Sequence, residues 1–149
     1  MRSVSMIFPI EPIGKGRCRV ARNGHLYTPK DTAEFMEYIK KKAKIIMAGE
    51  KPFPATEAQR AEILYVHKAP KSWSKKRKDI LRKRYVPKIT KPDIDNEDKI
   101  ILDALKGVVL EDDKSVHKHT SEKVWGLNNM IKVRIFSFDP WEDFEEAVG

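Results

Sequence analysis

The sequence has very little cysteine and no long apolar segment. Cys18 is the single cysteine among 149 residues, so the chain cannot form an internal disulfide, which fits a reducing cytoplasm. No apolar run approaches the roughly 20 residues that a membrane-spanning helix needs. The N-terminus also lacks a secretory hydrophobic segment followed by a cleavage site. We therefore expect a cytoplasmic domain that is large enough to bury a core without disulfides.

Acidic residues are scarce relative to basic ones over most of the chain. The formal net charge is +8, although the last eleven residues contain five acids and no base. Without those five acids, residues 1–138 carry a formal charge of +13. A strongly basic domain indicates a polyanionic partner, with nucleic acid first. We expect a single domain over residues 1–138 and a loosely ordered acidic tail over residues 139–149.

Hydrophobic periodicity predicts an α+β domain, with a small mixed β-sheet and helices packed on one face. The predicted strands are residues 3–8, 60–68, 108–110, 115–125 and 129–138, the last two joined as a hairpin. The predicted helices are residues 31–48, 75–84 and about 95–106. The apolar stripe of the first predicted helix consists of Phe35, Ile39, Ala43 and Ile46.

An acidic motif begins at Lys91-Pro92-Asp93-Ile94-Asp95-Asn96. Pro92 disfavours helix in the residue before it, so we expect Asp93 and Asp95 to alternate on an extended segment and to face the same side. Asp95 or Asn96 would then cap the following helix, which Gly107 would end. A chain that returns after this helix would place the acidic turn at residues 111–113 back beside Asp93 and Asp95.

Carboxylates that converge without a thiolate form a hard-oxygen site, which suits Mg²⁺ or Mn²⁺. Another interpretation is structural. Acidic residues at a helix start stabilise the helix dipole, and Glu-Asp-Asp is a common turn composition. Spacing alone leaves both interpretations open.

The complete motif resembles that of the RusA family of Holliday-junction resolvases. The family pattern is Lys-Pro-Asp-x-Asp-Asn, then a lysine, Asp-Ala-Leu, a glycine and a terminal Asp-Asp. This chain continues from Asn96 through Lys99, Asp103-Ala104-Leu105 and Gly107 to Asp112-Asp113. Residues 14–30 and 70–74 also resemble the family, so the resemblance covers most of residues 1–138. The departures are Glu97-Asp98 in place of apolar or neutral residues, Lys106 for a common Asn and Cys18 for a common Pro.

The resemblance implies a RusA-like homodimer that resolves four-way DNA junctions by paired symmetric hydrolysis. The implied cofactor is Mg²⁺, with Mn²⁺ as an alternative. It also implies that Asp93, Asp95 and Asp113 are catalytic metal ligands, with Asp112, Asn96 and Asp103 as auxiliary residues. Glu97 and Asp98 are then expected to alter metal affinity or local charge. Association with the nucleoid on DNA and a phage or prophage origin are expectations from the family alone.

The resemblance adds a catalytic role for Lys99, which would neutralise charge that develops on the phosphate or hold the geometry of the site. The alternative is a helix-surface lysine, because Asp95 and Asp103 stand four residues away on either side. The two interpretations predict very different effects of removing the ammonium group.

The most basic region is residues 68–91, which contain eleven lysines or arginines and one acid, Asp79. The density of charge and the presence of Trp73 favour contact with the DNA backbone over a merely solvated face. The Gly- and Arg-rich residues 14–30 would be a phosphate-gripping loop or a solvated basic hairpin. The predicted DNA-binding residues are Lys15, Arg17, Arg19, Lys71, Trp73, Lys75, Lys76, Arg77, Lys78 and Lys91.

Two other functions remain open. A metal nuclease that acts on other branched DNA would share the carboxylates and the basic surface, whereas a non-enzymatic junction-binding module would share only the basic surface. The intact set of aspartates argues against an inactivated family member. His67 is expected to be structural, and His117 and His119 are expected to be surface residues, because a zinc site needs more ligands.

Overall fold

The computed structural model describes residues 1–15, 19–20, 22, 26–27 and 30–142. It shows an α+β fold with a five-stranded mixed sheet, which confirms the predicted fold class. The strands are β1 Arg2–Phe8, β2 Arg19–Val20, β3 Leu26–Tyr27, β4 Ala58–Lys68, β5 Val86–Pro87, β6 Val116–Gly126 and β7 Met130–Phe138. The helices are α1 Lys30–Met47, α2 Lys75–Leu81 and α3 Ile94–Leu105, and a 3-10 turn spans Asp113–Ser115.

The main sheet has the strand order β1-β7-β4-β6-β5, and β4–β6 is its parallel pair. The predicted hairpin of the last two strands is wrong, because β4 lies between β6 and β7 and pairs with both. The connection from β6 to β7 passes the end of β4, where the Lys68 amide donates to Asn129 Oδ1 at 2.8 Å. A Cβ on Gly126 would lie 2.5 Å from Val66 Cγ1, so this crossing requires glycine. Strands β2 and β3 form a separate antiparallel pair.

One face of the sheet packs against α1 and α3. The inward residues of β4 include Ala61, Ile63 and Tyr65, which alternate with partly exposed residues as the strand period requires. Helix α1 buries Phe35, Ile39, Ala43 and Met47 at a spacing of four residues. Ile46, predicted for this stripe, is 37% exposed, and Met47 takes its place in the core. Among the described residues, no helix is long and apolar enough to cross a membrane.

Residues 108–110 form a turn rather than the predicted strand. Gly107 has a left-handed φ of 83°, and its amide donates to the Leu110 carbonyl at 2.6 Å. The Val109 amide donates back to the Leu105 carbonyl at 2.9 Å. Val108, Val109 and Leu110 are all buried, because they close the C-terminal end of α3. Leu110 also forms an isolated parallel bridge with Phe53, so the segment makes isolated bridges in place of the predicted strand.

Candidate active site

Asp93 and Asp95 lie at the start of α3. Asp93 is the N-cap residue, with φ −66° and ψ 140°, and Asp95 falls in the first turn. The prediction that both lie on an extended segment is wrong, since the helix begins directly after Asp93. The Asp93 carboxylate does not cap the helix, and neither carboxylate makes a hydrogen bond or ion pair with a described residue. Asp93 and Asp95 therefore lie at the same end of α3, unpaired within the described part of the chain.

The loop at Gly14 and Lys15 packs against this end of α3. The Lys15 amide donates to the Asn96 carbonyl at 3.1 Å. A Cβ on Gly14 would lie 3.1 Å from the Pro92 Cβ and 3.2 Å from the Asn96 Cβ, so the close approach favours glycine. The Lys15 ammonium forms an ion pair with Asp103. Thus a residue predicted to bind DNA holds the upstream loop against the acidic motif.

Lys99 is exposed on α3, one turn after Asp95. Among the residues described, its ammonium group makes no ion pair or hydrogen bond. The alternative of a surface ion pair with Asp103 fails in this structure, because Asp103 pairs with Lys15 instead. Lys99 therefore lies one turn from Asp95 without an ion pair to any described residue.

Asp112 and Asp113 lie at the other end of α3. Asp112 Oδ1 accepts a hydrogen bond from the Lys114 amide at 3.0 Å, and this bond lowers the pKa of Asp112. The Lys106 charge, just past the end of α3, lowers it as well. A helix of this length spans about 18 Å, so Asp113 is separated from Asp93 by the length of α3.

The expected return of this acidic turn to Asp93 and Asp95 does not occur within one chain. Among residues 1–15, 19–20, 22, 26–27 and 30–142, no group of three or more His, Cys, Asp or Glu side chains is placed to hold a metal ion. Asp93 and Asp95 supply hard carboxylate oxygens of the kind that Mg²⁺ prefers, but a single chain supplies them as a pair.

Two lysines hold the segment that leads into Asp93. Lys88 Nζ donates to the Lys91 carbonyl at 2.6 Å, and Lys123 Nζ donates to the Pro92 carbonyl at 2.6 Å. Lys88 is buried over the ring of Trp125, 4.2 Å from its centroid, and burial lowers the pKa of its ammonium group. These contacts could not be predicted from the sequence, because Lys88 is one of many lysines and arginines in residues 68–91.

Glu97 points into the protein rather than towards solvent. Its side chain is fully buried, and its Oε2 lies 2.8 Å from His67 Nε2 on β4. Burial raises the pKa of Glu97, and its Oε1 has no hydrogen-bond partner within the described part of the chain. His67 is buried in this pair, as a structural histidine would be. Helical spacing contained the missed signal, because Glu97 precedes the buried Ile101 by four residues.

Asp98 joins α3 to the sheet. The Tyr65 hydroxyl donates to Asp98 Oδ1 at 2.6 Å, and the Ser121 hydroxyl donates to the same oxygen at 2.7 Å. His119 Nε2 lies 3.3 Å from Asp98 Oδ2, and His117 and His119 are both exposed. Burial raises the pKa of Tyr65, so its hydroxyl keeps its proton and remains a donor. The two departures from the family motif thus anchor the helix that carries Asp93 and Asp95.

Replacing Asp98 by Ala should lower the free energy of unfolding by about 1–3 kcal/mol, because the buried Tyr65 hydroxyl loses its acceptor. Tyr65→Phe removes the donor, so the double variant should be more stable than the sum of the two single effects predicts. Urea denaturation of the two single variants and the double variant measures this coupling. Strictly additive effects would show that Tyr65 and Asp98 do not depend on each other.

Helix α2 carries four of the ten predicted DNA-binding residues, Lys75, Lys76, Arg77 and Lys78. Ser74 caps it, since its Oγ accepts from the Arg77 amide at 3.3 Å, and the helix ends at Leu81, earlier than predicted. The Arg77 guanidinium lies over the Trp73 ring, 5.3 Å from its centroid. Lys71, Lys75, Lys76, Arg77 and Lys91 are exposed, and Lys78 is half-buried. Arg17 lies outside the described residues, and Arg19 is described only by its place in β2.

Changing Lys75, Lys76, Arg77 and Lys78 together to Gln should weaken binding to all DNA. Each lost phosphate contact should flatten the plot of log K against log salt by about 0.9 units. Fluorescence anisotropy at several salt concentrations measures the slope. The matched control changes Lys40, Lys41, Lys42 and Lys44 of α1, where the slope should stay at the wild-type value. An unchanged slope in the α2 variant would make this surface a solvated face.

Comparison with known proteins supports the family resemblance of the acidic motif. Residues 9–136 match the family described as Endodeoxyribonuclease RusA, so most of the chain is covered. The chain is also 30% identical over 131 residues to the "Uncharacterized protein YqaN" of Bacillus subtilis (strain 168). That alignment covers 84% of this chain and 89% of the relative.

Proposed function

Since this chain belongs to the RusA endodeoxyribonuclease family, we propose that it is a divalent-metal-dependent resolvase that cuts four-way DNA junctions by paired, symmetric hydrolysis. One observation supports this more than any other. Asp93 and Asp95 share one end of α3 and Lys99 stands one turn away, and none of the three is paired with a residue that the structure describes. Both carboxylates are exposed, so a cation from solvent can reach them.

The residues that would hold the cation are Asp93 and Asp95, with Mg²⁺ as the favoured ion and Mn²⁺ as the alternative. A bound divalent ion would supply an activated water and stabilise charge on the leaving oxygen. Lys99 would contact the scissile phosphate and offset its charge in the transition state. The Asn96 backbone, through the Lys15 amide, fixes the loop that borders the site.

We further propose that the chain acts as a homodimer in which Asp113 of a second copy completes the site. The supporting observation is the separation of Asp113 from Asp93 by the length of α3, together with the absence of a three-ligand cluster within the described part of one chain. A two-fold dimer would pair each N-terminal end of α3 with the acidic turn of the other copy. Two such sites related by symmetry suit a junction, whose opposing strands are related in the same way.

The test is a cleavage assay on a four-way junction, a Y-fork and a linear duplex of matched sequence, each with Mg²⁺ and with EDTA. We expect paired nicks at symmetric positions in the junction with Mg²⁺ and intact DNA with EDTA. Equal cutting of the Y-fork would indicate a nuclease for branched DNA in general. Junction binding without cutting at any Mg²⁺ or Mn²⁺ concentration would indicate a binding module and overturn the proposal.

A further inference from the structure

An apolar cavity of about 370 Å³ opens between α2, β5 and β6. Its walls include Trp73, Trp125, Leu81 and Val86. The two tryptophan rings meet edge to face, with centroids 4.9 Å apart and an interplanar angle of 62°. Such a pair offers aromatic surface of the kind on which a planar ligand stacks.

The edge of this cavity is cationic. The Arg77 guanidinium lies 5.3 Å from the Trp73 centroid, and Lys75 and Lys76 are exposed on the same helix. A cavity with aromatic walls and a basic edge matches a ligand that is planar and apolar at one end and anionic at the other. A nucleotide has that chemistry: the base stacks and the phosphate meets the cations.

The cavity is also connected to the candidate catalytic residues. Lys88 lies over the Trp125 ring at 4.2 Å and donates to the Lys91 carbonyl at 2.6 Å. Lys91 stands two residues before Asp93. A nucleotide in the cavity would therefore sit next to the segment that positions the carboxylate pair.

We propose that this cavity takes one unpaired nucleobase from the branch point of the DNA substrate. The inference rests on the proposed function and adds a source of preference for branched DNA. A linear duplex has all its bases paired and stacked, whereas a branch point offers a base at lower cost. Because every base has a flat face, stacking against the Trp73 ring would tolerate any sequence at this position.

The test compares two four-way junctions that differ at one added nucleotide at the branch point, which is thymidine in one and an abasic analogue in the other. Affinity is measured in EDTA, so that no cleavage occurs. The wild-type chain should bind the thymidine junction roughly 5- to 150-fold more tightly, the usual range for base–aromatic stacking. Trp73→Leu should reduce this ratio to about one, and Trp73→Phe should retain part of it.

The control is Trp141→Leu, since Trp141 is 83% exposed and lies outside the cavity. It should keep the wild-type ratio. The ratio is internal to each variant, so partial unfolding lowers both affinities without creating a difference. Equal wild-type binding of the two junctions would overturn the proposal, as would a wild-type ratio in Trp73→Leu. Loss of self-association by Trp73→Leu in sedimentation would instead assign the cavity to a second copy of the chain and would also overturn it.

The comparison of junction affinities can succeed or fail independently of the proposed nuclease activity. A chain that prefers the thymidine junction but cuts nothing with Mg²⁺ would retain the base-binding site and lose the resolvase function. A chain that cuts junctions but binds both forms equally would retain the resolvase function and lose this site.

Discussion

Asp95→Asn, and separately Asp93→Asn, should abolish junction cleavage and leave junction binding largely intact. Each change removes a charged ligand of the proposed cation, whereas the proposed DNA-binding surface of α2 stays unchanged. Binding can even tighten, because a negative charge beside a phosphate is lost. Single-turnover cleavage with saturating Mg²⁺, beside an affinity measurement in EDTA, separates the two effects. Asp31→Asn is the matched control, since Asp31 also lies in the first turn of a helix. Cleavage that survives in either variant would falsify the assignment of these carboxylates.

The same residues test whether the site is shared between two copies. Asp95→Asn and Asp113→Asn should each be inactive alone, yet a mixture of the two should regain single nicks. In a mixed dimer, one site contains both altered residues and the other contains none. Random pairing makes half of the dimers mixed, so about a quarter of the sites should be intact. A mixture that stays inactive, although subunit exchange is shown by sedimentation of a tagged copy, would place all three aspartates in one chain.

The sequence was most informative where the relevant residues are close together in the chain. Asp93, Asp95 and Lys99 lie within seven residues, and the structure places all three on the first turns of one helix. Even there the predicted extended segment is wrong. Proline restricts the backbone conformation of the residue before it, and not that of the residue after it. Asp93 can therefore serve as the N-cap residue, and the helix begins at Ile94.

Hydrophobic periodicity does not predict which strands are neighbours in the sheet. The two final strands read as a hairpin, because they are sequential and separated by a short turn. In the structure β4 lies between them, a result that depends on which edges the rest of the sheet leaves available. The same limit applies to Trp73 and Trp125, which are 52 positions apart in sequence and touch in the fold.

The burial of charged residues also differs from the prediction. The family resemblance predicts that Glu97 and Asp98 alter metal affinity or local charge. That prediction assumes that both are exposed, because acidic residues are rarely buried. Their spacing to Ile101 and Leu105 already placed them on the apolar face of α3. Buried partners on the sheet, above all Tyr65 and His67, make that placement tolerable.

Lys99→Met should slow junction cleavage about a hundredfold to a thousandfold and leave the melting temperature nearly unchanged. If the ammonium group stabilises charge on the phosphate in the transition state, its loss should raise the barrier by about 2.7–4 kcal/mol, by analogy with the loss of one oxyanion-hole donor. A helix-surface ion pair would contribute only about 0.3–0.5 kcal/mol. The structure already weakens that second interpretation, since Asp103 pairs with Lys15 and leaves Lys99 without an ion pair among the described residues.

Two further variants make the result specific to Lys99. Lys99→Arg should restore cleavage only in part, because a planar guanidinium does not reproduce the compact ammonium group. Lys41→Met is the matched control: Lys41 lies 4.0 Å from Glu37, four residues away on the surface of α1, and its loss should leave the cleavage rate unchanged. Single-turnover rates and thermal melts of the three variants decide between the two roles. Near-normal cleavage by Lys99→Met would reduce Lys99 to a solvated lysine on the surface of α3.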